Sequence, residues 1–256
     1  MIADIFNIAL YQPIYNGLVF LISVLPFGDV GLAVVVLTIV VKFIIFPFTH
    51  KSVKAQRRMK EIEPEVKKVK EEFKNDKQQQ SKKVMELYQK HGVSPFSGCL
   101  LLLIQIPVIF ALYWVFWKGL TNGLDESTLY TFVAMPEKIN MHFLGLIDIS
   151  GKSLILAFLA GVTQYFQIRL SFPFAKGSSD SEKDPGKSGV PSFKDEFAKS
   201  FRLQMKYGFP LVVFFIAYTI SAAVALYWAT SNIFSILHEL WVRHQAKKIT
   251  SSSVAQ

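Results

Sequence analysis

Lys42 stands alone in VGLAVVVLTIVVKFIIFPFT, residues 30–49, a run of twenty residues with one charge. As a helix the run is about 30 Å long, the thickness of a bilayer core, and a lysine facing lipid there costs roughly 2.5 to 3.5 kcal/mol. The ammonium therefore snorkels toward the cytoplasmic headgroups or supplies a positive charge to a hydrated cavity within the membrane. Polar residues elsewhere favour the cavity. Ser97 and Gln105 lie eight apart, and Gln164, Gln167 and Ser171 follow three-and-four spacing behind small Ala157, Ala160 and Gly161. Trp228, Asn232, Ser235 and Glu239 form one stripe, with Tyr227, Ser231 and His238 beside it. Thr38, Ser97, Gln105, Gln164, Gln167, Trp228, Ser231, Asn232 and Ser235 are expected to line the cavity around Lys42. For any one of them taken singly, interhelical hydrogen bonding is the competing role.

No catalytic set accompanies the charge. The chain has no G-x-S-x-G, H-E-x-x-H or P-loop and no intramembrane carboxylate pair, while His238 and Glu239 fall where the last apolar run ends. Lys42 with a serine from another span would supply the groups of an intramembrane protease, but no motif supports that chemistry. The one cysteine, Cys99, and five scattered histidines offer neither a disulfide nor a ligand set. No catalytic residue, metal or cofactor is expected.

The elements that would position these residues are apolar helices. Of the 256 residues 51% are hydrophobic, 23 are Phe and 18% are charged, and the mean hydropathy is +0.33, which excludes an ordinary soluble domain. Spans are expected at 30–50, 94–118, 152–172, 206–221 and 222–242. The last two are read as separate helices joined near Ile220 to Ala223, with a single long tilted helix as the alternative. The net charge of +9 is unevenly placed: residues 51–95 carry thirteen Lys and Arg and residues 173–206 seven, whereas residues 119–152 hold two beside four acids. By the positive-inside rule the N-terminus lies outside and the C-terminus inside. The first basic side chain is Lys42, so no cleaved signal peptide is expected.

Residues 1–29 are expected to contribute an interfacial helix on the outer surface. Tyr11, Ile14, Tyr15, Leu18, Ile22 and Leu25 share one face with Gln12, Asn16 and Ser23 opposite, and Pro13, Gly17 and Pro26 interrupt it; a true span is the alternative. Residues 51–93 read as a cytoplasmic helical hairpin. Met59, Ile62, Val66, Val69 and Phe73 recur at three and four, Asn75-Asp76 marks the turn, and Val84, Leu87 and Tyr88 form a second stripe, with a bend at Pro64. Residues 119–151 form an extracytoplasmic loop, 173–205 a polar cytoplasmic loop expected to be mobile over 177–192, and 243–256 a cytoplasmic tail. The fold class is an all-α polytopic membrane protein.

GVSPFSGCLLLLIQIPVIFALY (92–113) resembles the second core helix of the YidC/Oxa insertases, with an S-P-x-x-G-C-L entry and a Q-x-P-x-x-x-x-L-Y centre. LTIVVKFIIFPFTHKS (37–52) and ALYWATSNIFSILHEL (225–240) are similar to that family's first and last core helices. The resemblance covers nearly the whole chain. It implies an energy-independent insertase and chaperone of the bacterial plasma membrane, active as a monomer on nascent membrane proteins within the phospholipid bilayer. The ribosome and the Sec translocon are candidate partners, and DNA is not. It also implies five helices around a groove open to cytoplasm and lipid, with Lys42 at the position where the family usually carries Arg. Lys is a point charge with fewer fixed donors. The large extracytoplasmic domain of many Gram-negative members is not expected here, and HQAKKITSSSVAQ is shorter than the basic tail of some members. A small channel or transporter for an anionic solute, and a structural assembly subunit, are the rival readings.

Overall fold

The computed structural model describes residues 2–94, 97–116, 123–171, 200 and 203–254, and is mostly helical. Helix α1 (Ile2–Phe6), a π-helical turn (Asn7–Tyr11) and α2 (Gln12–Val24) run on as one rod. Then come α3 (Val30–Ile44), α4 (Phe46–Glu61), α5 (Glu63–Glu72), α6 (Lys77–Lys90) and α7 (Ser97–Trp114). A two-stranded hairpin, β1 (His142–Phe143) with β2 (Ile147–Asp148), precedes α8 (Leu154–Ser171), α9 (Phe209–Thr219) and α10 (Ala222–Val254).

The run expected to be one span at 30–50 is broken. Asp29 caps α3, its carboxylate accepting from Leu32 N at 2.9 Å, but α3 ends at Ile44 and α4 leaves at an angle of 68°. Pro47 is the cause: it has no N–H to continue the ladder, and its ring would strike the carbonyl four residues earlier. The 15 residues of α3 measure about 22 Å. Lys42 consequently sits in the last turn of a helix, not in the middle of a span.

α8 is the centre of the bundle, packing along α10 and α9. Small residues permit the approach: Ala157 and Ala160 are buried, and a Cβ on Gly161 would lie 3.1 Å from that of Phe214. The break between α9 and α10 falls at Ile220–Ser221, which removes the single-long-helix alternative. It needs no Pro or Gly because the loop before α8 supplies caps: Ala222 N donates to Gly151 O at 2.8 Å and Ala223 N to Ile149 O at 3.2 Å. α10 continues helically to Val254, so much of the expected tail, 243–256, extends the last helix.

The N-terminal rod also departs from expectation. Pro13 occupies the first turn of α2, where a missing N–H costs little, and does not interrupt it. Asn16, assigned to the polar face, is buried and ties the rod to the loop after α7: Nδ2 donates to Thr128 O at 3.0 Å and Oδ1 accepts from Tyr130 N at 2.6 Å. Ala3–Val24 is long and apolar enough to cross a bilayer, as is Leu154–Ser171, and the bent pair α3–α4 is a third candidate among the described residues.

Gly28 is where loop and rod meet most closely. Its φ is +63° and a Cβ there would lie 2.2 Å from Lys138 O. Gly28→Ala is expected to cost about 2 kcal/mol or more, against about 1 kcal/mol for Gly145→Ala, whose φ is also positive but whose Cβ would meet nothing within 4 Å. Thermal unfolding of both variants in detergent checks the ranking.

α5 and α6 fold back on each other, with Ile62, Val66 and Val93 buried between them and Met59, Val84, Leu87 and Tyr88 packed around. The bend falls at Ile62, two residues before Pro64, and Asp76 caps α6 through Gln78 N and Gln79 N. Residues 177–192, expected to be mobile, lie outside the described residues.

Candidate functional site: a polar cavity around Lys42

Lys42 is 8% exposed, and its stem and ammonium turn inward. Nζ stands 3.4 Å from Gln105 Oε1 on α7 and 3.4 Å from Ser235 Oγ on α10. Both described partners are neutral, so the charge is solvated in part but not cancelled. The C-terminal carbonyls of α3 add a favourable negative potential. Snorkelling would require the ammonium to leave these partners.

The cavity beside Lys42 has a volume of about 340 Å³. α7 contributes Gln105, with Ile106 and Ile109 on the apolar side. From α8 come Gln164 and Gln167, joined by an amide–amide hydrogen bond of 3.1 Å, and then Ser171. α10 presents Trp228, Ser231, Asn232 and Ser235. Asn232 also braces the wall, its Nδ2 lying 3.3 Å from Thr163 Oγ1 and 3.4 Å from Ala160 O. The small residues of α8 are what bring that backbone carbonyl within reach.

Two expected lining residues stand apart. Thr38 is buried but does not line the cavity; its hydroxyl returns to Val34 O at 2.6 Å, the usual way a helix satisfies a threonine. The side chain of Ser97 lies outside the described residues.

Sequence reasoning missed the contribution of α4. The bend at Ile45 swings Thr49, Val53 and Gln56 beneath the cavity, one face of a helix whose residues the sequence divides between the end of the first span, up to residue 50, and the hairpin from residue 51. Their spacing of four and three was a legible signal. His238 also lines the cavity, its Nε2 3.1 Å from His50 Nδ1, and Phe46 and Trp241 pack around the two imidazoles.

Below the cavity three cations tie α4, α8 and α10 together. Lys60 Nζ and an Arg243 guanidinium nitrogen both reach Leu170 O near the end of α8, and Arg57 reaches Val242 O at 2.9 Å. Lys60 and Arg243 are favoured there by the C-terminal end of the α8 dipole. Arg243 pairs with Glu239 at 3.0 Å, and burial together with the nearby Arg243 charge holds Lys60 below the ordinary lysine range.

Two apolar helices long enough to cross a bilayer and a third, bent candidate, in a bundle with a polar cavity around Lys42, define an α-helical integral membrane protein. The model of the 60Kd inner membrane protein family matches residues 22–249, and the chain belongs to that family, the YidC/Oxa1 family. Similar proteins include the membrane protein insertase YidC of Fusobacterium nucleatum, 29% identical over 215 residues that cover 84% of this chain and 86% of the relative. That of Clostridium tetani is 29% identical over 228 residues, covering 87% and 88%. That of Campylobacter jejuni is 32% identical over 231 residues, 90% of this chain but 37% of the longer relative. The chain thus spans most of the short relatives and little more than a third of the long one.

Proposed function

We propose that this protein inserts short or weakly hydrophobic membrane proteins by receiving their polar translocated segment in the cavity around Lys42. The observation that carries the reading is a buried ammonium whose hydrogen-bond partners among the described residues, Gln105 and Ser235, are neutral, facing a cavity walled by amides and hydroxyls. Moving a polar segment through hydrocarbon is opposed mainly by desolvation of its charges and peptide groups. A polar cavity reaching into the membrane shortens that path, and an uncancelled positive charge in low dielectric attracts acidic residues. No covalent step and no nucleotide is required.

In this reading α3, α7, α8, α9 and α10 are the five spans, the N-terminal rod lies against their outer ends, and the hairpin is cytoplasmic. α7 packs mainly on α4 and the N-terminal rod, whereas α8, α9 and α10 pack on one another. The line between Ile106 and Ile109 on one side and Met205 and Phe209 on the other is the lateral exit to lipid. The ties of Asn16 to the outer loop, and of Val30 N to Asn140 O at 3.0 Å, favour a closed outer end over a solute channel. The protein works as a monomer on nascent chains in the bilayer, with the ribosome and the Sec translocon as candidate partners.

Purified protein in protein-free liposomes should protect the translocated tail of a small coat-type substrate from external protease. Saturable anion flux without insertion would support the channel instead. For orientation, single cysteines at Ala3 and Ser127 should label from outside, and those at Ser178 and Ser252 from the cytoplasm. Cytoplasmic labelling of Ala3 would make the N-terminal rod a sixth span.

A further inference from the structure

Lys42 donates only, so the Gln105 amide must present its carbonyl oxygen to it, which turns the amide nitrogen the other way. That nitrogen donates to the hydroxyl of Tyr227 on α10. Tyr227 is 2% exposed and is not among the cavity-lining residues. Its oxygen also meets the Ser231 side chain. The second acceptor is held the same way: Ser235 Oγ donates its proton to Ser231 O at 2.8 Å, leaving a lone pair for Lys42. Both described acceptors of the ammonium are thus oriented by groups on α10: Ser235 by a backbone carbonyl, and Gln105 by Tyr227, which lies outside the cavity lining.

We infer that Tyr227 is a positioning residue for the insertion reaction, acting through Gln105 to keep the Lys42 charge solvated and aimed into the cavity. The inference rests on the proposed role of Lys42. An amide has two unlike ends, and only an external acceptor decides which faces the ammonium. Without the phenol oxygen the NH₂ of Gln105, a half-buried side chain at the cavity wall, loses its protein partner, and rotation of the amide to find another brings NH₂ against NH₃⁺. The charge is then driven away from its position, although neither cavity shape nor net charge has changed. A tyrosine held here only for packing would behave differently, since phenylalanine fills nearly the same volume.

The experiment is Tyr227→Phe, Lys42→Ala and the double variant, each reconstituted in liposomes at matched amounts and assayed with two substrates. One carries an acidic translocated segment and the other the same segment neutralised. Tyr227→Phe is expected to slow insertion of the acidic substrate roughly three- to tenfold, the scale of one hydrogen bond, and to leave the neutralised substrate within about twofold. In the Lys42→Ala background Tyr227→Phe should add nothing, because the group it positions is gone. Equal losses for both substrates, no loss for either, or full additivity with Lys42→Ala would each overturn the inference. If Lys42→Ala produces a charge-dependent loss and Tyr227→Phe does not, the inference alone fails. If Lys42→Ala produces none, the role of Lys42 fails and the inference fails with it.

Discussion

Lys42→Ala is expected to slow insertion of substrates with acidic translocated segments by tenfold or more, while Lys42→Arg keeps the reaction and Lys42→Glu is the worst of the three. At about 6 Å and an effective dielectric near 20, one pair of opposite charges is worth roughly 2 to 3 kcal/mol, and water in the cavity reduces this to a value still near a factor of ten. Arginine retains the charge, and its planar fork suits two acceptors placed on different helices, Gln105 on α7 and Ser235 on α10. Folding should survive the alanine, because the substitution also removes the desolvation cost of an ammonium that is 8% exposed. Neutralising the acidic residues of the substrate should shrink the difference between lysine and alanine, and the four combinations form a double-mutant cycle on insertion rate. A lysine that merely reached for the headgroups would give the opposite result, with alanine as active as the parent. That outcome leaves the cavity to act through polarity and membrane thinning alone.

The second large effect concerns polarity without charge. Gln164→Leu combined with Gln167→Leu should slow insertion of acidic and neutralised substrates alike, by about thirtyfold if both amides contribute in full. Each amide that a substrate's peptide groups can no longer meet forfeits roughly 1 kcal/mol. The pair is chosen because Gln164 Nε2 donates to Gln167 Oε1 at 3.1 Å, so removing both leaves no orphaned half of that bond. Replacing two such partners by apolar groups is close to neutral for folding. Thermal stability should therefore hold while activity falls. Unchanged insertion of both substrates would mean that the α8 wall is structural and that the polar path runs along α10.

Much of this arrangement was legible in the sequence because helical periodicity is a local property. The twenty-residue run around Lys42 announced both a helix and an unpaired intramembrane charge. Gln164 and Gln167 on α8, and Trp228, Ser231, Asn232 and Ser235 on α10, were recognisable as polar stripes on apolar rods, and the structure brings them with Gln105 to one cavity. The hairpin stripe was equally readable, and Ile62 and Val66 are buried in it.

What only the tertiary structure decided is where those rods bend and which faces meet. Pro47 removes a ladder bond, but the 68° angle and its direction come with α4 packing against α7 and α10, and they bring Thr49 from the expected span, and Val53 and Gln56 from the expected hairpin, to the cavity. The break at Ile220–Ser221 has no breaker residue at all; it exists because Ile149 and Gly151, some seventy residues away, offer carbonyls to the first amides of α10. Asn16 read as the wet side of an amphipathic helix, yet its partners at Thr128 and Tyr130 lie more than a hundred residues on. A polar group in sequence states only that it needs a hydrogen-bond partner. Whether water, lipid headgroup or a distant backbone supplies one depends on which helices the small residues of α8 allow to approach, and that is a property of the packed bundle.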